Sequence, residues 1–415
     1  MSWPEVAFGS LFSTPSRNGV YKSKDHHGSG VPIVNMGELF AFDRIGDQPM
    51  SLIQMSDAEM SKSGLADGDL LFGRRSLVEE GAGKCSLVYK PTGPLTFESS
   101  IIRVRLDRAV ADPEFFFNYF RSPVGRSRVR AIVGGAAVKG IRGSDLGAIK
   151  VHVPPLAEQL AIRRIVAAYD DLIATNQRRI ALLEDAARRL YREWFVHLRF
   201  PGHESVPMKD GVPQGWSIQK LSSVVQVNAR SIGSKDRPES IRYIDISSVT
   251  SGLIVEATQY AFADAPGRAR RLLSHGDVIW SCVRPNRRSY ALVWEPDESL
   301  VASTGFAVLS ASGVPFSYLY FATTTDDFVG YLEKNATGAA YPAVTAKTFE
   351  DADLLVPHAD VLRLFDGMTR PMLEQMEVLK AQNTGFARAR DILLPKLMSG
   401  QLDVSSIRLP DEVAA

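Results

Sequence analysis

Two arginine-bearing stretches are where the residue types of this chain could act on another molecule. Gly73-Arg74-Arg75-Ser76-Leu77-Val78-Glu79-Glu80-Gly81-Ala82-Gly83-Lys84 and Arg284-Pro285-Asn286-Arg287-Arg288 each place guanidinium groups in turn-forming sequence. A planar guanidinium matches a phosphate or the edge of guanine with two parallel hydrogen bonds, and Asn matches adenine in the same way. A second pair, Gly134-Gly135-Ala136-Ala137-Val138-Lys139-Gly140-Ile141-Arg142 and Gly338-Ala339-Ala340-Tyr341-Pro342-Ala343-Val344-Thr345-Ala346-Lys347, combines small residues with Lys139, Arg142, Lys347 and Tyr341. Small residues let backbone approach a phosphate, the cations supply charge, and the tyrosine offers a ring or a hydroxyl. The plain alternatives are solvated hairpin charges and glycines that only satisfy tight turns, and the residues alone leave both open.

Other chemistries lack their parts. Gly81-Ala82-Gly83-Lys84-Cys85 resembles a phosphate loop, but Val78 stands where the first glycine belongs and Cys85 where a hydroxyl residue belongs. Asp69 and Asp277 occupy matching positions, and a Gly-Asp turn accounts for both without catalysis. His26-His27 are the only adjacent histidines, with no carboxylate at metal-ligand spacing. A base-modifying methyltransferase needs a Pro-Pro-aromatic loop, and here Pro154-Pro155 precedes Leu156. Neither a catalytic residue nor a metal site is expected.

Composition sets the outer limits. The chain has 415 residues, 45% hydrophobic and 23% charged, which suits two ordinary globular domains and a connection between them. Cys85 and Cys282 are the only cysteines and are read as reduced thiols. The start lacks a basic segment followed by an apolar run, and no stretch is long enough to span a bilayer, so a cytoplasmic location without a membrane partner is expected. The net charge of +1 hides its distribution. No carboxylate lies between Phe115 and Ser144, a window with Arg121, Arg126, Arg128, Arg130, Lys139 and Arg142, nor between Val278 and Trp294, which holds Arg284, Arg287 and Arg288.

The elements that must position these loops occur twice. Gly68-Asp69-Leu70-Leu71-Phe72 recurs as Gly276-Asp277-Val278-Ile279-Trp280, a turn entering a buried strand, with an arginine cluster after each copy. Asp112-Pro113 before Glu114-Phe115-Phe116-Phe117 matches Val314-Pro315 before Phe316-Ser317-Tyr318-Leu319, a proline opening an aromatic helix. Gly135-Ala136-Ala137 recurs as Gly338-Ala339-Ala340, and Val153-Pro154 as Val356-Pro357, with the same separation in both halves.

After each valine-proline the period becomes helical. Ile162, Val166, Tyr169, Ile173, Asn176, Ile180, Leu183, Ala187, Leu190 and Trp194 step by four and three, a coiled-coil seam with one polar register position, Asn176. The second seam is read as Val361, Phe365, Met368, Met372, Gln375, Leu379, Gln382, Phe386, Ala389 and Leu393, with Pro371 breaking or kinking its early part. Two such stripes bury each other most economically side by side. The Pro- and Gly-rich run from Phe200 to Trp216 reads as a linker. The predicted organisation is a mixed α/β chain with a pseudo-twofold repeat: a domain over 1–154, a spacer helix over 155–198, linker and second domain over 199–357, a second spacer helix over 358–400, and a tail over 401–415.

Several motifs carry a family resemblance over nearly the whole chain. Pro154-Pro155-Leu156-Ala157-Glu158-Gln159, Arg188-Arg189-Leu190-Tyr191-Arg192-Glu193-Trp194-Phe195-Val196, Pro213-Gln214-Gly215-Trp216 and Leu393-Leu394-Pro395-Lys396-Leu397-Met398-Ser399-Gly400 resemble those of the specificity subunits of type I restriction-modification enzymes. The opening of the first half has no Gly-Trp to match Gly215-Trp216. The resemblance implies two α/β target-recognition domains, each contacting half of a split double-stranded DNA site, separated by two antiparallel helices. It also implies two modification subunits docked on the helices and restriction subunits joined through them, with S-adenosylmethionine, ATP and magnesium held by those partners. On the first helix, Arg163-Arg164, Arg178-Arg179 and Arg188-Arg189 lie off the seam and are candidates for that docking, against the simpler reading of a solvated face. The competing functions are a helical scaffold without DNA reading, which would not need an arginine loop in each half, and a DNA-modifying enzyme.

Overall fold

The computed structural model describes residues 3–77, 81–135, 138–233, 236 and 238–404. It forms two units, one made of residues 1–174 and 383–415 and the other of residues 175–382. The chain therefore leaves the first unit once and returns, and each long helix contributes to both.

Both units are built on one plan. In the first, a mixed sheet has the order Phe12–Asn18, Ile101–Leu106, Leu70–Gly73, Cys85–Val88, Arg44–Ile45. In the second, Val225–Val227, Phe306–Ala311, Val278–Ser281 and Tyr290–Leu292 follow the same order. Each unit has a further sheet with one parallel pairing, His27–Val34 on Thr96–Phe97 and Ser240–Ile244 on Leu300–Ser303. Each is closed by a strand pair just before its long helix, Glu5–Ala7 with Lys150–His152 and Ser217–Lys220 with Asp353–Val356.

The Gly-Asp turns account for the buried aspartates. Gly68 and Gly276 have φ of +87° and +83°, a conformation glycine adopts without strain. Asp69 then accepts the amide hydrogen of Ala66 at 2.8 Å and Asp277 that of Ser274 at 2.7 Å. Asp69 is also held by the Arg105 guanidinium at 2.7 Å, and Asp277 by the Ser310 hydroxyl at 2.6 Å. Their oxygens are engaged in holding turns. The proline-led helix Pro113–Arg121 is capped by Asp112, which accepts from Phe115 at 2.8 Å. Its copy, Phe316–Ala322, starts one residue after Pro315. In the first unit Phe8, Phe72, Phe115, Phe116 and Phe120 fill the space between sheet and helix. In the second, Trp280, Tyr318 and Phe321 do so.

The first long helix runs Leu156–Tyr191 and widens into a π-type turn over Arg192–Val196. Gln159 anchors its start: its carbonyl accepts from Asp112 at 2.8 Å, and its amide donates to the carbonyls of Val110 and Pro154, both at 2.9 Å. Trp3 donates to Glu158 at 2.9 Å and supplies the buried tryptophan before the first strand that Trp216 supplies in the second unit. The tryptophan is thus present in both halves, without its glycine in the first.

The second helix runs Ala359–Met398 and does not break at Pro371. Gly367, whose carbonyl loses its donor there, is exposed, so solvent can satisfy it. The seam read from its sequence is right in part. Val361, Phe365, Met372, Leu379, Phe386, Ala389 and Leu393 are buried or half-buried, but Met368, Gln375 and Gln382 are exposed, and Thr369, Met376, Asn383, Arg390 and Leu397 take the intervening positions. The first seam is buried or half-buried throughout. Within the first unit Tyr169 packs on Phe386 and Asp170 pairs with Arg390 at 2.7 Å. Within the second, Asn176 donates to Gln382 at 3.2 Å and Trp194 and Phe195 pack on Phe365. Within the second unit, rising numbers on the first helix, from Asn176 to Trp194, meet falling numbers on the second, from Gln382 to Phe365, so the helices are antiparallel there. No helix among the described residues is long and apolar enough to cross a membrane.

Candidate nucleic-acid interface

In the first unit the two candidate loops join. Arg75-Ser76 pairs antiparallel with Lys139-Gly140, with Arg75 opposite Gly140 and Ser76 opposite Lys139. The amide of Ile141 donates to the carbonyl of Arg74 at 3.0 Å, and Gly134 and Gly140 exchange backbone hydrogen bonds at 2.9 Å. The result is a short two-stranded ribbon extending from the end of Leu70–Gly73. Gly135, at φ +103°, turns the outer arm; a Cβ there would meet the Val138 carbonyl oxygen at 2.2 Å. Val78, Glu79, Glu80, Ala136 and Ala137 of these loops lie outside the described residues, as does most of the tail.

The second unit joins its loops the same way. Val283 bridges Ala343, Val344 donates to the Cys282 carbonyl at 2.8 Å, and Thr337 and Ala343 exchange hydrogen bonds at 2.9 Å. These bonds fix the correspondence between copies, and it corrects the alignment of the arginines. Arg74 and Arg75 correspond to Cys282 and Val283, while Arg284 corresponds to Ser76. The second cluster therefore lies two residues farther out, on the turn Pro285–Arg287, whose flanking residues Arg284 and Arg288 have φ of +51° and +55°. Ribbon and charge are common to both units; the position of the charge is not.

The candidate cations divide into committed and free. Lys84 donates to the Phe40 carbonyl at 2.6 Å, so it anchors the hairpin base. Arg74 is half-buried and donates to the Ser99 carbonyl at 3.3 Å. Arg284 donates to the Ala340 carbonyl at 3.3 Å and lies over the Tyr341 ring, 4.6 Å from its centroid. Arg288 pairs with Asp326 at 2.5 Å, and Lys347 with Asp351 at 2.7 Å along its own helix. Among the described residues, Arg75, Lys139, Arg142, Asn286 and Arg287 have no side-chain hydrogen bond or ion pair within the chain. Arg75, Arg142, Asn286 and Arg287 are exposed, and Lys139 is half-buried. The carboxylate-free window Phe115–Ser144 is partly neutralised from outside it: Arg121 pairs with Asp43 at 2.7 Å and Arg128 with Glu5 at 3.0 Å.

The six helix arginines divide too. Arg163 pairs with Asp112 at 3.2 Å, and Arg189 with Asp185 at 2.8 Å. Arg188 turns inward, donating to Glu184 at 2.7 Å, the Thr324 hydroxyl at 3.1 Å and the Tyr290 hydroxyl at 3.2 Å. It ties the helix to the sheet of its own unit instead of facing a partner. Arg164, Arg178 and Arg179 are exposed without a partner among the described residues. The sequence reading also missed apolar side chains on the solvent side of these helices, among them Leu182, Leu364, Met368 and Val378 in the second unit and Leu172 and Ile392 in the first. Among the described residues no group of three or more His, Cys, Asp or Glu is placed to hold a metal.

Comparison with known proteins converges on one family. Residues 3–185 match the type I restriction modification DNA specificity domain. The type I restriction enzyme MjaIX specificity subunit of Methanocaldococcus jannaschii is 20% identical over 413 residues, 97% of this chain and 92% of that one. The EcoKI specificity subunit of Escherichia coli is 32% identical over 165 residues, 39% of this chain and 35% of that one. In fold, the S subunit of a type I restriction-modification system from M. genitalium matches with a TM-score of 0.57 at 15% identity, covering 96% of both chains. Family profile, full-length relative and shared fold agree with the doubled ribbon and paired helices: residues 3–185 match the type I restriction modification DNA specificity domain, and nearly the whole chain is similar to type I restriction enzyme specificity subunits.

Proposed function

We propose that the chain is the DNA-reading subunit of a type I modification and restriction complex, directing it to a two-part site, each unit reading one part through its ribbon. The observation that carries this reading is the joining, in both units, of two loops distant in sequence into one ribbon bearing unpaired cations. A two-stranded ribbon fits the major groove of B-DNA, and unpaired guanidinium groups at its flank suit phosphates and guanine edges. A scaffold without DNA reading would have no use for such a ribbon in each unit. Catalysis belongs to partners: modification subunits holding S-adenosylmethionine, and restriction subunits using ATP and magnesium.

The docking surface for the modification subunits is the solvent side of the long helices. Leu182, Leu364, Met368 and Val378 are exposed apolar side chains on these helices, and Arg178 and Arg179 are exposed beside Leu182 in sequence, a mixture of apolar and charged groups that suits a protein interface. The test of the whole reading is to map adenine methylation by single-molecule sequencing in cells carrying the modification subunit with and without this chain. A split motif with a fixed gap, present only with the chain, is the expected result; methylation indifferent to the chain would refute it.

A further inference from the structure

The described part of the first unit's ribbon reaches an apolar pair of residues, its tip as far as the described residues go. With Arg75 opposite Gly140 and Ser76 opposite Lys139, the next step of the register faces Leu77 with Val138. Leu77 is 85% exposed and Val138 46% exposed, although the unit has a well-filled aromatic interior. Leucine exposed to this degree gains nothing for the fold, since its transfer from water has not taken place. Arg75 and Lys139 flank this pair on the two arms, and Arg142 follows Ile141 at the ribbon's base; none of the three has a side-chain partner among the described residues. The second unit has Tyr341 where the first has Val138, 69% exposed and stacked under Arg284. The exposed side chain at this point is thus apolar in one unit and aromatic in the other.

We propose that Leu77 and Val138 are base-contacting residues of the first unit: the tip enters the major groove and packs on the C5-methyl group of thymine, while Arg75, Lys139 and Arg142 hold flanking phosphates. The unpaired cations Arg75 and Lys139, next to this pair on the two arms, favour a polyanion as the covering partner. In the major groove the thymine methyl is the apolar feature a leucine can recognise. This rests on the ribbon reading above and assigns the part of the ribbon that touches bases. Tyr341, bearing a hydroxyl and a stacked guanidinium, gives the second unit a different base preference at the matching place.

The test uses the full chain assembled with its modification subunit, and duplexes carrying the mapped methylation motif. The half read by the first unit is made with thymine or with deoxyuridine, which lacks only the methyl. Wild type should bind the thymine duplex about fourfold tighter than the deoxyuridine duplex, the value of one methyl removed from water. Leu77→Ala with Val138→Ala should lose that preference and keep its melting temperature, both sites being solvent-exposed. Equal wild-type binding of the two duplexes, or a preference that survives the double substitution, overturns the tip assignment. Arg75→Ala is run in parallel. If it weakens binding while the tip variant is silent, the tip alone fails; if both are silent, the ribbon reading fails with it.

Discussion

Arg75 and Arg188 show how differently two arginines of one chain are spent. The Arg75 guanidinium has no partner within the described residues, so removing it should leave the fold intact and weaken DNA binding across sequences. We expect Arg75→Ala, and separately Arg287→Ala, to lower the slope of log affinity against log salt by about one each, as for a lost phosphate contact. An unchanged slope with unchanged affinity would remove either residue from the interface. Arg188 satisfies Glu184, Thr324 and Tyr290, so Arg188→Ala should cost about 1 to 3 kcal/mol in denaturant unfolding by leaving half-buried oxygens unpaired. Burial pushes the Cys282 thiol up to about 11 and raises Cys85 as well. Both should resist alkylation at pH 8 in the folded protein and react once it is unfolded, because the thiolate is the nucleophile. Rapid labelling of native protein would contradict the burial of Cys85.

At the scale of elements, the first helix was legible residue by residue and the second only in part. Its polar residues misled the choice between adjacent positions: Met368 and Gln375 look no worse than Thr369 and Met376 as seam members. The signal that resolves them is the repeat itself. Carrying the first seam forward by the spacing between Val153-Pro154 and Val356-Pro357 lands on Phe365, Thr369, Met372, Met376, Leu379, Asn383 and Phe386, all buried or half-buried. The alignment of the two arginine clusters failed for a related reason, since residue type was matched where backbone pairing sets the correspondence. That the two loops of each unit would bond into one ribbon could not be read from sequence, because it depends on how far apart strands end in space. Phe365, fully buried against Trp194, Phe195 and Tyr318, tests the seam. Phe365→Ala should destabilise the second unit by about 3 to 5 kcal/mol, whereas Met368→Ala should cost little. Comparable losses would place Met368 in the seam after all. On the opposite face, Leu182→Asp should abolish co-purification with the modification subunit and leave the melting temperature of the isolated chain unchanged.

For the molecule as a whole, the repeat makes two similar units from one chain, and each long helix supplies residues to both. If the helices set the accepted gap between half-sites, a heptad inserted in each beside the Asn176–Gln382 pair keeps the seam in register and adds about 10 Å. The preferred gap should lengthen by roughly three base pairs, at about 3.4 Å each. The central claim is that the units read separate halves of one site. The most direct measurement is a methylation map, by single-molecule sequencing, from cells co-expressing the modification subunit with Arg75→Ala/Arg142→Ala or with Asn286→Ala/Arg287→Ala. The account predicts that each variant relaxes selectivity in one half of the motif, a different half for each, at unchanged gap. Loss at the same positions in both variants, or equal loss across both halves, would contradict it.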